Sequence, residues 1–233
     1  MQTATYDRRR SELTTYFDDT AAEAWAKLTS DAPVSGIRAT VRAGRDRMRA
    51  TILSWLPEDM AGRSLLDAGC GTGALSLEAA RRGAHVTAID VAPTLVRLAE
   101  ERLPHEIGAG TIDFRVGDML DPALGAFDHV VAMDSLIHYE MKDVVGAIGR
   151  LAARTRRSIV FTFAPKTPAL ATMHAVGKLF PRSDRAPAIV PVAHAALARA
   201  IGASPALEGW RIGRTLRIKS GFYTSEAMEV VRP

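Results

Sequence analysis

The sequence predicts an α/β fold built on an open, seven-stranded, mostly parallel sheet of the nucleotide-binding, Rossmann-like kind. Three observations predict it. First, the stretch Leu65-Leu66-Asp67-Ala68-Gly69-Cys70-Gly71-Thr72-Gly73 runs from an apolar pair through a glycine-rich turn into a helical pattern, Ala74–Ala80. Glycines suit a turn that must come close to a ligand, because a Cβ would collide with it, and a helix start offers free N–H groups. Second, strand and helix patterns alternate from residue 64, which gives a parallel sheet with helices on both faces. Third, two strand patterns follow one another at the end of the chain, as in an antiparallel hairpin that finishes a sheet.

Bulk properties are those of one globular domain. The chain has 233 residues, 47% hydrophobic and 24% charged, enough to bury a real core. The balance is basic, with a formal charge of +4 and a pI near 9.5. That suits an anionic ligand or an anionic membrane surface, and equally an arginine-rich solvated surface. Cys70 is the single cysteine, so no internal disulfide forms and the cytoplasm is the expected compartment. No apolar run reaches the roughly 18 residues of a spanning helix, and the N-terminus lacks the apolar core of a signal peptide. Peripheral membrane contact is left open. Nucleic acid is not an expected partner, because the basic residues are not interleaved with aromatics.

Residues 1–60 read as a helical arm. Leu13, Tyr16, Phe17, Ala21, Ala24, Trp25 and Leu28 recur at spacings of three and four, with a break expected near Asp18-Asp19. After the break at Ala32–Gly36, a second helix carries Ile37, Val41, Met48, Ile52 and Leu56, and its other face is basic: Arg38, Arg42, Arg45, Arg47 and Arg49. Pro57 ends it. Such an arm either covers the ligand or packs on the sheet. Residues 61–233 form the core. Strands are expected at 64–68, His85–Ile89, Ile112–Val116, Phe127–Met133 and Ser158–Phe163, with helices near 74–82, 93–103 and 141–153. Prolines at 165, 168, 181 and 187 mark an insertion over about 164–190, followed by a helix at 191–201. Trp210–Ile218 and Gly221–Val231 make the closing hairpin.

Three aspartates fall at the ends of the first three strands. Ligands of open parallel sheets bind at that edge. Asp67 can accept from a cationic amino group, whereas a pyrophosphate would be repelled; the alternative is a cap on the turn. Asp90 can hydrogen-bond both ribose hydroxyls of an adenosine ligand, or cap the helix that Pro93 helps to start. In Gly117-Asp118-Met119, Asp118 can accept from an adenine amino group while Met119 borders the ring; a plain Gly-Asp turn is the alternative.

Taken together, Asp67, the glycine turn, Asp90 and Gly117-Asp118 resemble the motifs of class I S-adenosylmethionine-dependent methyltransferases, over about residues 60–165. The loop Met133-Asp134-Ser135-Leu136-Ile137-His138-Tyr139 is similar to that of the magnesium protoporphyrin IX O-methyltransferases of bacteriochlorophyll and chlorophyll synthesis. Tyr16-Phe17 with Trp25, Phe161–Pro168 and Gly177–Arg182 resemble further segments of that family. The resemblance implies S-adenosylmethionine as methyl donor, with no protein-bound metal. It implies cofactor contacts at Asp67, Gly69, Cys70, Gly71, Asp90, Val91, Asp118, Met119 and Met133. His138 and Tyr16 are implied as catalytic. The implied substrate is a flat macrocycle bearing two propionates, and Lys166, Lys178, Arg182 and Arg185 are cations available for its carboxylates. The implied product is the monomethyl ester. A magnesium chelatase subunit is the implied handover partner. The alternatives are methylation of another small acid or a quinone, or a non-catalytic porphyrin- or cofactor-binding role.

Overall fold

Helix α1 (Ala4–Thr15) starts at Thr3, whose hydroxyl accepts from the Tyr6 N–H at 3.2 Å, one of the donors a helix start leaves open. It runs into a π-helical turn, Tyr16–Thr20, so the expected break near Asp18-Asp19 takes the form of a wider coil. The computed structural model describes residues 3–20, 29, 36–166 and 188–233. Helix α2 (Ile37–Trp55) buries Gly44, Met48, Ile52 and Leu53, a stripe at helical spacing. A Cβ at Gly44 would overlap the Tyr223 ring, so glycine lets that ring lie on the helix backbone.

The sheet follows in order: β1 (Ser64–Ala68), α3 (Ala74–Arg81), β2 (His85–Asp90), α4 (Pro93–Glu101), β3 (Thr111–Val116), β4 (Phe127–Ala132), α5 (Met141–Ala152), β5 (Thr155–Phe163), α6 (His194–Gly202), β6 (Arg211–Ser220) and β7 (Tyr223–Val231). The strand order is β3-β2-β1-β4-β5-β7-β6. β1 pairs in parallel with β2 and β4, β2 with β3, and β4 with β5. β7 is antiparallel to both β5 and β6. The order reverses between β1 and β4, and the crevice at such a switch point is where ligands of open α/β sheets bind.

Alternate residues of the strands face two cores. Leu66, Val130, Ile159 and Phe161 face α1, α5 and α6. Leu65, Val86, Val131 and Val160 face α2 and α3. Strand side chains alternate between faces, so the pair Leu65-Leu66 serves both.

Two boundaries differ from the sequence reading for physical reasons. β5 starts at Thr155, three residues before the expected Ser158. Arg156 and Arg157 hide it as a polar run, but both lie within 4 Å of the Asp128 carboxylate, at 3.8 and 3.7 Å. The helix expected from 191 starts at His194. The preceding residues are extended instead: the Val192 N–H donates to the Ala164 carbonyl and the Lys166 N–H to the Val192 carbonyl. The remaining ends agree to within about two residues.

Candidate active site

The cavity lies over the β1/β4 switch point, with a volume of about 320 Å³, in the range of small-ligand sites (~300–1,000 Å³). One wall is the carboxyl edge of the sheet. The other is formed by α1, α2 and the Tyr16–Thr20 turn.

On the sheet wall, the backbone of the glycine turn is left-handed at Gly69, Gly71 and Gly73 (φ +86°, +54° and +75°). A Cβ at Gly69 would overlap the Ser135 side chain, so this glycine admits the loop after β4. Asp67 is 2% exposed and accepts from the Ser76 hydroxyl at 2.6 Å. Burial pushes its carboxyl up to about 6; the Ser76 hydroxyl pulls it down and Asp90 pushes it up further. Asp90 accepts from the N–H of Gly71 at 2.9 Å and of Ala92 at 3.0 Å. Its carboxyl is also raised by burial, against those amides. Two buried acids with raised pKa values favour a cationic ligand between them, because its charge relieves the cost of ionising them. Burial, with Asp67 and Asp90 adding, raises the Cys70 thiol. That disfavours the thiolate, the nucleophilic form.

Asp67, Gly69, Cys70, Gly71, Asp90, Val91, Met119, Met133 and His138 all line the cavity. Asp118 sits apart, on a shallow depression with Arg10. Its carboxylate accepts from Tyr6 Oη at 2.9 Å, Arg10 Nη1 at 2.7 Å and the Leu120 N–H at 2.9 Å. The Tyr6 ring stacks on Tyr139 at 4.8 Å. The aspartate expected at the adenine thus also anchors α1 to the sheet. Arg154 holds the Met119 and Asp121 carbonyls of the same loop.

His138 closes the 3₁₀ turn Leu136–His138 and is 8% exposed. Its Nδ1 lies 3.4 Å from the Ala188 carbonyl, and Phe17 packs against its ring edge-on at 6.2 Å. Tyr16 is not among the residues lining the cavity; Phe17 is, with the Tyr16 ring edge-on to it at 5.2 Å. Burial raises the Tyr16 hydroxyl. Lys166 is exposed and does not line the cavity. Lys178, Arg182 and Arg185 lie outside the described residues. Among the described residues, the cations on the cavity wall are Arg42, Arg45 and Arg49 of α2. Their spacing puts them on one helix face, within the basic face that the sequence shows. Among the described residues, no group of His, Cys, Asp and Glu could hold a metal ion.

The site fits a sulfonium cofactor. Ser135 Oγ is buried in the cavity region without a hydrogen-bond partner among the described residues, the condition of a group meant for a ligand. Two buried acids and a glycine cradle with left-handed backbone at Gly69, Gly71 and Gly73 lie beside it.

The fold, the acid-ended strands and this cradle define a class I S-adenosylmethionine-dependent methyltransferase. The family model described as "Methyltransferase domain" matches residues 65–158. That described as "Magnesium-protoporphyrin IX methyltransferase C-terminus" matches residues 132–232. The chain is 49% identical to the magnesium-protoporphyrin O-methyltransferase of Rhodobacter capsulatus, over 96% of this chain and 97% of that one. It is 32% identical to the chloroplastic magnesium protoporphyrin IX methyltransferase of Arabidopsis thaliana, over 93% of this chain and 69% of that one. The crystal structure of the magnesium protoporphyrin IX methyltransferase from Synechocystis with bound SAH superposes with a TM-score of 0.83, at 28% identity, covering 96% of this chain and 100% of that one. The chain belongs to the magnesium-protoporphyrin IX methyltransferase family.

Proposed function

We propose that this chain transfers the methyl group of S-adenosylmethionine to one propionate carboxylate of magnesium protoporphyrin IX, giving the monomethyl ester. The likeness to the Rhodobacter enzyme along nearly the whole of both chains carries this reading. The cofactor supplies a methyl carbon already activated on a sulfonium. A carboxylate oxygen forms the new C–O bond as the C–S bond breaks. The nucleophile is ionised at neutral pH, so no base is required.

What the chain contributes is alignment and a dry site. Asp67 faces the cationic end of the cofactor, Asp90 the ribose, and Met119 the adenine, with Val91, Cys70 and Met133 as walls. Asp118 acts on the adenine side while holding α1. His138 orients the attacking carboxylate. The Ala188 carbonyl, 3.4 Å from Nδ1, helps to hold the ring, and the imidazole is proposed to take the proton of a propionic acid arriving un-ionised. Tyr16 acts through Phe17, which closes the wall beside His138. Lys166, Lys178, Arg182 and Arg185 are proposed to meet the carboxylates of the macrocycle.

No helix among the described residues is long and apolar enough to cross a membrane. We also propose peripheral contact with an anionic membrane surface. The exposed Ile37 and Phe222 support it; the Ser220 hydroxyl donates to the Thr40 carbonyl between their two elements. Handover from a magnesium chelatase subunit in the cytoplasm completes the reading.

Purified protein, S-adenosylmethionine and magnesium protoporphyrin IX test the reaction by mass. The expected result is a gain of one methyl group. No gain with cofactor still bound would remove the porphyrin from the reading. In the same assay His138→Ala is expected to lower kcat about 100-fold, the lower range for a lost acid–base or orienting group.

A further inference from the structure

Asp134 is the one non-glycine residue with left-handed backbone among those described, at φ +54°. Such conformations persist only where the surroundings over-determine them, and they cluster at functional sites. Here the surroundings do so. The Asp134 carboxylate is 4% exposed and pairs with Arg45 Nη1 at 2.7 Å. It accepts from Tyr223 Oη at 3.1 and 3.2 Å, from Thr162 Oγ1 at 3.2 Å and from Ser225 Oγ at 3.3 Å. Its N–H donates back to Thr162 Oγ1 at 2.7 Å. The donors come from α2, β5 and β7, so one carboxylate ties three elements to the end of β4.

The left-handed residue turns the chain sharply after Met133. The next residue, Ser135, is thereby pressed against Gly69, where a Cβ would overlap its side chain. Its hydroxyl is left buried and unpartnered among the described residues, in a residue that lines the cavity. Buried hydroxyls in native structures are nearly always bonded. The same turn carries His138.

We propose that Ser135 Oγ is a ligand-binding group that donates to a carboxylate in the cavity, and that Asp134 is the residue that positions it together with His138. Both the amino-acid end of the cofactor and a substrate propionate carry a carboxylate, and either is in keeping with this chemistry. The inference rests on the methyl-transfer reading above, which wild-type turnover tests separately.

The experiment uses the full chain and follows four quantities: Kd for S-adenosylmethionine by calorimetry without porphyrin, KM for magnesium protoporphyrin IX, kcat and Tm. Ser135→Ala is expected to weaken one of the two ligands about fivefold with Tm unchanged. A change in the cofactor Kd identifies the cofactor carboxylate; a change in KM alone identifies the propionate. If Kd, KM and kcat all stay within about twofold, Ser135 is not a ligand group. Asp134→Asn keeps the side-chain shape and tolerates positive φ, so it tests the carboxylate alone. It is expected to reproduce the Ser135→Ala ligand defect and to lower kcat tenfold or more. A fall in kcat with full cofactor stoichiometry separates positioning from loss of folded protein. Unchanged kcat and ligand affinity in folded Asp134→Asn would overturn the positioning role. Should that variant not fold, Tyr223→Phe removes one donor and leaves the ion pair: a drop in kcat of about threefold is expected, and an unchanged rate and affinity overturn the role.

Discussion

The two walls of the cavity are held together by different means. On the sheet wall, acids are buried and bonded to the backbone or to a hydroxyl nine residues on: Asp90 to the Gly71 and Ala92 amides, Asp67 to Ser76. On the arm wall, contacts run between groups far apart in sequence. Tyr6 and Arg10 reach Asp118, and the Asp18 carboxylate accepts from the Thr94 N–H at 2.9 Å. Arg10 is a third exposed, so its ion pair is screened and worth little. The sheet wall is therefore the core itself, whereas α1 joins it through the buried Tyr6 and Leu13 and a few polar bonds over its edge, and α2 through its own buried stripe. Damage to the first should abolish ligand binding, and damage to the second should only weaken it.

The largest effect is expected at Gly69. Gly69→Ala adds a Cβ that overlaps Ser135 at a residue with φ +86°. Cofactor affinity should fall on the order of 100-fold, equivalent to about 3 kcal/mol, in a calorimetric titration. A variant that binds normally would mean that the sheet wall yields as readily as the arm.

Next comes the charge of Asp67. Its pKa of about 6 in the free protein means that below that pH the carboxyl is protonated and must lose a proton to meet a cation. The cofactor Kd should tighten as pH rises to about 6 and level off above it, with a limiting slope near tenfold per pH unit on the acid side. In Asp67→Asn binding should be weak, and this acid-side slope should vanish.

The arm wall should give smaller changes. Tyr6→Phe removes one bond to a carboxylate and keeps the Tyr139 stack. A loss of about 1–2 kcal/mol is expected, read as a fivefold to thirtyfold weaker cofactor by titration. If Tyr6→Phe were as damaging as Gly69→Ala, the contrast between the walls would fail. The smallest effect belongs to Cys70→Ser. The thiol is held protonated by burial, so turnover should stay within about twofold, and alkylation should be slow in the intact protein.

The contrast also explains what could be read before the structure. The sheet wall follows from local order: each of Asp67, Asp90 and Asp118 stands at or just after the end of a strand pattern, so chain position alone puts it at the carboxyl edge. The arm wall does not. Nothing near Tyr6 points to Asp118, 112 residues away. The α2 arginines were visible as a basic face but not as a cavity wall, because a solvated helix face has the same pattern. Asp134 stood in plain view within its loop. Its importance lies in its φ and in partners on three other elements, and neither is encoded locally. The choice of Phe17 over Tyr16 for the cavity depends on the π-helical turn, which shifts every side chain after Thr15 around the axis.

Arg214 donates to the Trp55 carbonyl at 2.7 Å and to both Glu229 oxygens at 2.6 and 2.8 Å, and its guanidinium lies over the Trp55 ring at 5.3 Å. That contact fastens the C-terminal end of α2 to the β6–β7 hairpin, while Tyr223 lies against Gly44 nearer the cavity. The helix that carries Arg42, Arg45 and Arg49 is thus immobilised when the chain folds. Much of the entropy lost in ordering the backbone beneath those arginines is spent before any ligand arrives, and association is correspondingly more favourable.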